Sequence, residues 1–269
     1  HLTTLQLEGL TVHEVTDLVE DASMAQLLHS RTGGLPFFVA EMARSARASG
    51  QASAADDLPD TTRSWVHRRF ATLPPELAEL LTMVVVVGTP VDLDLLVRLS
   101  GSDAATVVRR TDELIALGLL SDAAEDGTVE PAHAITAEVI YDSLGGTRRA
   151  RLHRLVAEAL EEDPATSHAH GALAHHWARA GRPGRATAAL HSRLAGQEAL
   201  ERGAWELAAT AFDRAVELAD DPAGDPVEQA RALIGSGQAH HAQGSFEQAE
   251  RLLDEALEVS RAHGLGEEQ

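Results

Sequence analysis

The strongest constraint on the fold of this chain is an internal repeat. Residues 41 positions apart match: Gly196, Gly203, Trp205, Ala208, Phe212, Ala215 and Val216 recur as Gly237, Gly244, Phe246, Ala249, Leu253, Ala256 and Leu257. Apolar residues within each copy fall at helical spacing on both sides of a turn glycine, so each copy predicts a helical hairpin. Small residues at Gly196/Gly237 and Ala208/Ala249 let the two helices approach closely. The aromatic just after the turn and the bulky residue seven positions later fill the gap between them. A hairpin cannot bury its own apolar face, so copies must stack, and the resulting fold class is mainly α. An earlier hairpin, predicted at about 168–180 and 184–200 with Gly181 at its turn, extends the stack towards the N-terminus.

The rest of the chain is also helical but does not repeat. Over 1–50 we read a small helical unit: Thr11 and Glu14 have the spacing of a capping box, and a second helix follows at about 23–30. The turn Thr32-Gly33-Gly34-Leu35-Pro36 stops that helix, and Phe37, Phe38, Val39 and Met42 begin a third that runs to about Ala48. Residues 51–59 are small, polar and aperiodic, the composition of a linker. Over 60–147 the pattern gives helices at 61–72, 76–87, 92–99 and 103–117, then two short apolar runs at Leu119-Leu120 and Val129 flanking Ala124-Glu125-Asp126-Gly127. Helices followed by a small hairpin are the order of a winged helix-turn-helix. From 148 to 269 the hairpins take over. They resemble the tetratricopeptide pattern, whose period is about 34 residues, the extra length falling in the loop Asp220-Asp221-Pro222-Ala223-Gly224-Asp225-Pro226.

Composition removes most enzyme classes. All 22 basic residues are Arg, and Lys, Cys and Asn are absent. Without Lys there is no complete GxxxxGK[ST] phosphate loop and no Schiff base; without Cys there is no thiol nucleophile, disulfide or Cys-ligated zinc. The chain carries no GxSxG, HExxH or GxGxxG motif, and no catalytic residue is assigned. On its own this chain is expected not to be an enzyme. It begins at His1 and is read as part of something longer; with no signal peptide and no apolar run of membrane length, it is expected to be cytoplasmic.

Among 14 His, the group His168, His170, His175 and His176 falls on one predicted helix. His168 lies about two turns from His175 or His176, too far for one ion to bridge along the helix, so no metal site is assigned and the histidines are read as packing beside Trp177. The would-be recognition helix, Ser102 to Gly118, carries a net charge of −1 and is a poor match to phosphate, and the one basic cluster, Arg148, Arg149, Arg151 and Arg154, is read as capping acidic helices. From Glu198 onward 16 acids against 5 Arg give net −11, which favours a basic or amphipathic partner.

The segment Thr32-Gly33-Gly34-Leu35-Pro36-Phe37-Phe38-Val39-Ala40-Glu41 resembles the "TGGNPFFV.E" stretch of STAND-class (AAA/NACHT-like) signalling ATPases, in particular the large LuxR-type, MalT-related transcription regulators. The similarity continues in order through Leu58-Pro59, Arg63, Arg69-Phe70-x-x-Leu73, Leu114-x-x-Leu117-Gly118-Leu119-Leu120, His133-Ala134, Val139-Ile140-Tyr141-Asp142-x-Leu144, Arg151-Leu152-His153 and Leu173-Ala174-His175-His176. Leu35 stands where that family has Asn, and Pro131-Ala132 where it has Phe-Arg; the proline predicts a frayed second wing strand.

This resemblance implies that 1–50 is the helical lid of a nucleotide-binding domain, 60–147 its winged-helix domain, and 148–269 the start of a sensor arm. It implies that Gly34 and Pro36 lie against the base of ATP or ADP and that His133 contacts the diphosphate, the main contacts of the cofactor lying outside this chain. The full-length parent would then be an ATP-dependent switch. Its repeats would meet a protein or small-molecule inducer, it would self-associate, and it would reach DNA only through a domain this chain lacks. Two other readings are a nucleotide-independent helical-repeat adaptor, and the same regulatory segment fused to a cyclase or kinase.

Overall fold

The computed structural model describes residues 9–49, 60–88, 90–123, 127–221 and 224–265, in two compact units divided at Gly145/Gly146. The described residues are mainly α, with fourteen α-helices and a small three-stranded sheet. No described helix is long and apolar enough to cross a membrane. The predicted linker lies outside the described residues, as do the first three residues of the turn at 124–127.

In the first unit the first three helices start where a cap or a proline dictates. Helix α1 (Val12–Val19) opens on the expected capping box: Thr11 Oγ1 accepts the Glu14 N–H at 3.3 Å, and the Glu14 carboxylate accepts the Thr11 N–H at 2.8 Å. Asp21 caps α2 (Ala22–Thr32) through the Met24 N–H at 3.0 Å, and Pro36, with its preset φ, begins α3 (Pro36–Ser49). Helix α4 (Asp60–Ala71) precedes α5 (Pro75–Val87), in which Leu77, Leu80, Leu81 and the run Val84 to Val87 are all buried. A helix that is apolar all round belongs in the interior.

Around α5 pack strand β1 (Val91–Asp92) with α6 (Leu93–Ser100), α7 (Ala104–Ala116), the hairpin β2 (Leu120–Asp122) and β3 (Thr128–Pro131), and helix α8 (Ala134–Ser143). Helix α5 touches α6, α7, β3 and α8 directly. The sheet is antiparallel in the order β1-β3-β2, with Val91 opposite Val129 and Leu120 opposite Pro131. Pro131 does not fray the strand as expected. It ends β3 in register, and the ladder steps over its missing donor because the Ala132 N–H donates to the Leu119 carbonyl at 3.1 Å.

The second unit comprises α9 (Gly146–Glu162), α10 (His170–Arg179), a 3-10 turn at Arg182–Gly184, α11 (Arg185–Glu201), α12 (Trp205–Ala219), α13 (Pro226–Ala242) and α14 (Phe246–Ala262). Each packs on the next, and α11 also reaches α13. The repeat is realised in side-chain contacts. A Cβ on Gly196 would come within 2.8 Å of the Phe212 ring, and one on Gly237 within 2.9 Å of Leu253 Cγ, so the matched small and bulky positions meet in both hairpins. Arg185 caps the C-terminal end of α12, donating from Nε to the Leu218 carbonyl at 2.9 Å. Glu228 is forked between Arg193 and Arg231, each at 2.8 Å, which ties α11 to α13.

One expectation is corrected here: α10 begins at His170, so His168 does not share a helix with the other three histidines. Asp163 is the reason. Its carboxylate accepts the Ala165 N–H at 2.9 Å and its carbonyl accepts from Thr166 and Ser167, which curls the chain into turns before the helix can start.

Candidate functional site

The turn between α2 and α3 is built from backbone that only glycine adopts easily. Gly33 ends α2 at φ +60°, donating to the His29 carbonyl at 2.8 Å, and Gly34 follows at φ +72°. Thr32 is buried; its Oγ1 donates to the Leu28 carbonyl at 2.6 Å and accepts the Gly34 N–H at 3.2 Å. The segment Gly9-Leu10 lies across the turn, with the Leu10 N–H donating to the Gly34 carbonyl at 2.8 Å. A Cβ on Gly34 would collide with the Leu10 carbonyl oxygen, and one on Gly9 with that of Gly33.

His133 comes to the same turn from the other end of the unit. It is the N-cap residue of α8, at φ −144° and ψ 129°, and its side chain makes no capping bond. Its ring instead packs on Gly33, where a Cβ would meet Nδ1 and Cε1. Nδ1 is buried with no hydrogen-bond partner among the described residues. Burial, and then the charge of Arg69, hold the imidazole below its ordinary pKa, so it is neutral at pH 7 with one nitrogen protonated. Arg31 near the end of α2 donates to Glu138 of α8 at 2.8 Å, fastening the two helices beside this contact.

Gly34 is buried, whereas Pro36 is exposed at the start of α3. Beside it Phe37, 46% exposed, lies against Trp65 at 6.1 Å with the rings tilted by 37°, and Phe38 meets the same indole edge-on at 5.3 Å. The turn thus combines a rigid apolar surface at Pro36 with a neutral imidazole that has an unpaired buried nitrogen, and the space beside its two glycines is filled by His133 and Leu10. The sequence placed Gly34, Pro36 and His133 in one site only through resemblance. The contact that brings His133 to this turn is with Gly33, beside Gly34, and it carries no signal in the spacing of residues one hundred apart.

The second unit holds two histidine groups that sequence reading saw only in part. His170 and His191 approach through their Nδ1 atoms at 3.1 Å, with Glu161 accepting from His191 at 3.1 Å and Glu198 at 3.8 Å from His170. His175 and His176 of α10 meet His153 of α9, which no within-helix spacing could reveal. A cavity of about 300 Å³ lies between α11, the end of α12 and the start of α13. Ala186, Ala189 and Leu218 form its apolar wall and Arg182, Asp221 and Asp225 its polar one.

No protein-family model and none of the curated protein sequences compared matches the chain. Among solved structures it is similar to a Signal Transduction ATPase with Numerous Domains (STAND) protein with a tetratricopeptide repeat sensor from Pyrococcus horikoshii, at 13% identity and a TM-score of 0.42 over 96% of this chain. The chain spans 42% of that protein's length.

Proposed function

We propose that this chain is a regulatory segment of a nucleotide-gated STAND switch, with α1 to α3 as lid, α4 to α8 as a winged-helix domain, and the hairpins from α9 onward as the start of a sensor arm. The observation that carries this reading is the packing of His133 on Gly33. Two motifs assigned by resemblance to one ligand come to one spot, and nothing in helix packing alone requires an unpaired imidazole nitrogen there. Bound ADP or ATP would supply the difference in free energy between a closed and an open state. The chain's own residues then have distinct roles. Pro36 offers an apolar face to the base, Gly33 and Gly34 let His133 and the Gly9-Leu10 segment close on the turn, and His133 holds a proton for a phosphate oxygen.

The sensor arm is where an inducer or partner protein acts, and the cavity beside Ala189 and Leu218 is its small-molecule candidate. Transcription is the output in this reading, through DNA contacts made elsewhere in the parent. The chain alone hydrolyses no ATP, since it has no Lys for a phosphate loop.

The test is release of a fluorescent ADP analogue from the full-length parent. His133→Ala is expected to speed release about 10-fold to 100-fold, the worth of one hydrogen bond to a charged group at about 1.5–3 kcal/mol. Pro36→Ala is expected to weaken binding by a smaller factor. Unchanged release in both variants, with folding intact, would leave the nucleotide-independent adaptor as the better account.

A further inference from the structure

Helices α9 and α10 bring three imidazoles to one point. His153 is fully buried and His176 is 3% exposed; their rings lie 5.1 Å apart, tilted by 41°, with Nδ1 to Nδ1 at 2.9 Å. His175, at the surface, stands edge-on to both, 5.8 Å from the His153 ring and 5.1 Å from that of His176. One nitrogen from each of the three lies within 4.8 Å of the other two. We propose that His153, His175 and His176 form a three-histidine site for a borderline transition-metal ion such as Zn²⁺, open to a water-borne fourth ligand on the side of His175.

The chemistry of the donors fits. A metal binds neutral imidazole, so protons compete with it unless the protein has already excluded them. Burial does this first, helped by neighbouring His and Arg charges, holding His153 at about 4 and His176 at about 3. The geometry is close to what an ion needs. Two nitrogens at about 2.05 Å on a tetrahedral ion stand about 3.3 Å apart, so the buried pair must open by only a few tenths of an ångström from 2.9 Å. At present one of those two nitrogens must donate to the other, and the ion takes the place of that shared proton.

His175 needs the larger adjustment, because its Nδ1 accepts from Arg179 Nη1 at 3.1 Å. Either the ring turns or it binds through Nε2. Donor type sets the choice of ion. Arg149 and Arg179 both act on His153, and no carboxylate belongs to the cluster. Mg²⁺ and Ca²⁺ would find no oxygen ligands here, whereas nitrogen donors suit Zn²⁺ or Co²⁺; the two guanidinium groups oppose every dication alike and are outweighed only by strong nitrogen ligation. The same guanidinium groups favour hydroxide or chloride as fourth ligand. The pair His170 and His191 differs, since Glu161 already engages His191, and it serves as the internal control.

The experiment is titration of the whole 269-residue chain, freed of metal, with Co²⁺ and then Zn²⁺. One equivalent of Co²⁺ is expected to give the visible absorption of a four-coordinate nitrogen site, and Zn²⁺ to abolish it. His175→Ala, at an exposed position that the fold does not need, and His176→Gln are each expected to weaken binding at least 10-fold. His170→Ala is expected to leave binding unchanged. Circular dichroism of each variant establishes that it is folded. Absence of that absorption with the wild-type chain overturns the proposal, as does binding of undiminished strength in folded His175→Ala and His176→Gln.

Discussion

Phe212→Ala is expected to lower the stability of the second unit by about 3–5 kcal/mol, the range for removing a buried phenyl ring. The ring is 4% exposed and lies between two glycines on different helices, Gly196 of α11 and Gly235 of α13. A Cβ on Gly196 would stand 2.8 Å from the ring, and one on Gly235 would overlap it. Its buried neighbours are the alanines Ala208, Ala209 and Ala239, with Leu200 at the edge, so the space is refilled only in part. The complementary change, Gly235→Ala, adds a methyl where there is no room and is expected to cost about 1–3 kcal/mol. In the double variant Gly235→Ala with Phe212→Leu the costs should not add, because the smaller side chain relieves the overlap. Urea denaturation followed by circular dichroism measures these variants together with the single Phe212→Leu. A loss under 1 kcal/mol for Phe212→Ala would mean that the hairpins are not held by this ring.

Gly34→Ala is the second large effect, expected at about 3 kcal/mol or more in the first unit. Two penalties combine. An alanine at φ +72° carries backbone strain of about 1–2 kcal/mol, and its methyl would strike the Leu10 carbonyl oxygen, which cannot move without breaking the Leu10 to Gly34 hydrogen bond. Gly118→Ala separates the two. Gly118 has a similar φ of +65° but nothing within 4 Å of its would-be Cβ, so only the strain should remain. Equal losses at Gly34 and Gly118 in thermal unfolding would show that the Gly9-Leu10 segment does not rest on the turn.

Much of the fold was legible because its determinants are local. The capping box at Thr11 and Glu14, the stop at Gly33-Gly34 and the start at Pro36 each act within one turn of chain. The pairing of Gly196 with Phe212 and of Gly237 with Leu253 was readable because repetition displays a tertiary contact as periodicity. Strand β1 was not readable: two residues, Val91 and Asp92, become a strand only by pairing with Val129 and Thr128. Helix α8 was missed because the reading stopped at the hairpin, and its N-cap residue, His133, makes no capping bond that the sequence would announce. His153 escaped for a related reason. Spacing along α10 tests ligands within one helix, whereas the third imidazole comes from α9, twenty-three residues before His176.

The seat of Phe212 has a consequence for how the second unit unfolds. One ring fills a gap in its own hairpin and, by its other edge, a gap in the next, so neither hairpin can open without exposing the side chain that holds its neighbour. Coupling of this kind makes adjacent repeats gain and lose structure together. Leu253, the matching residue in α14, meets Gly237 and is 38% exposed, so α14 shares less in that cooperativity. Slow hydrogen exchange therefore belongs to the helices on either side of Phe212, and fraying to the side of the stack that lacks a shared ring.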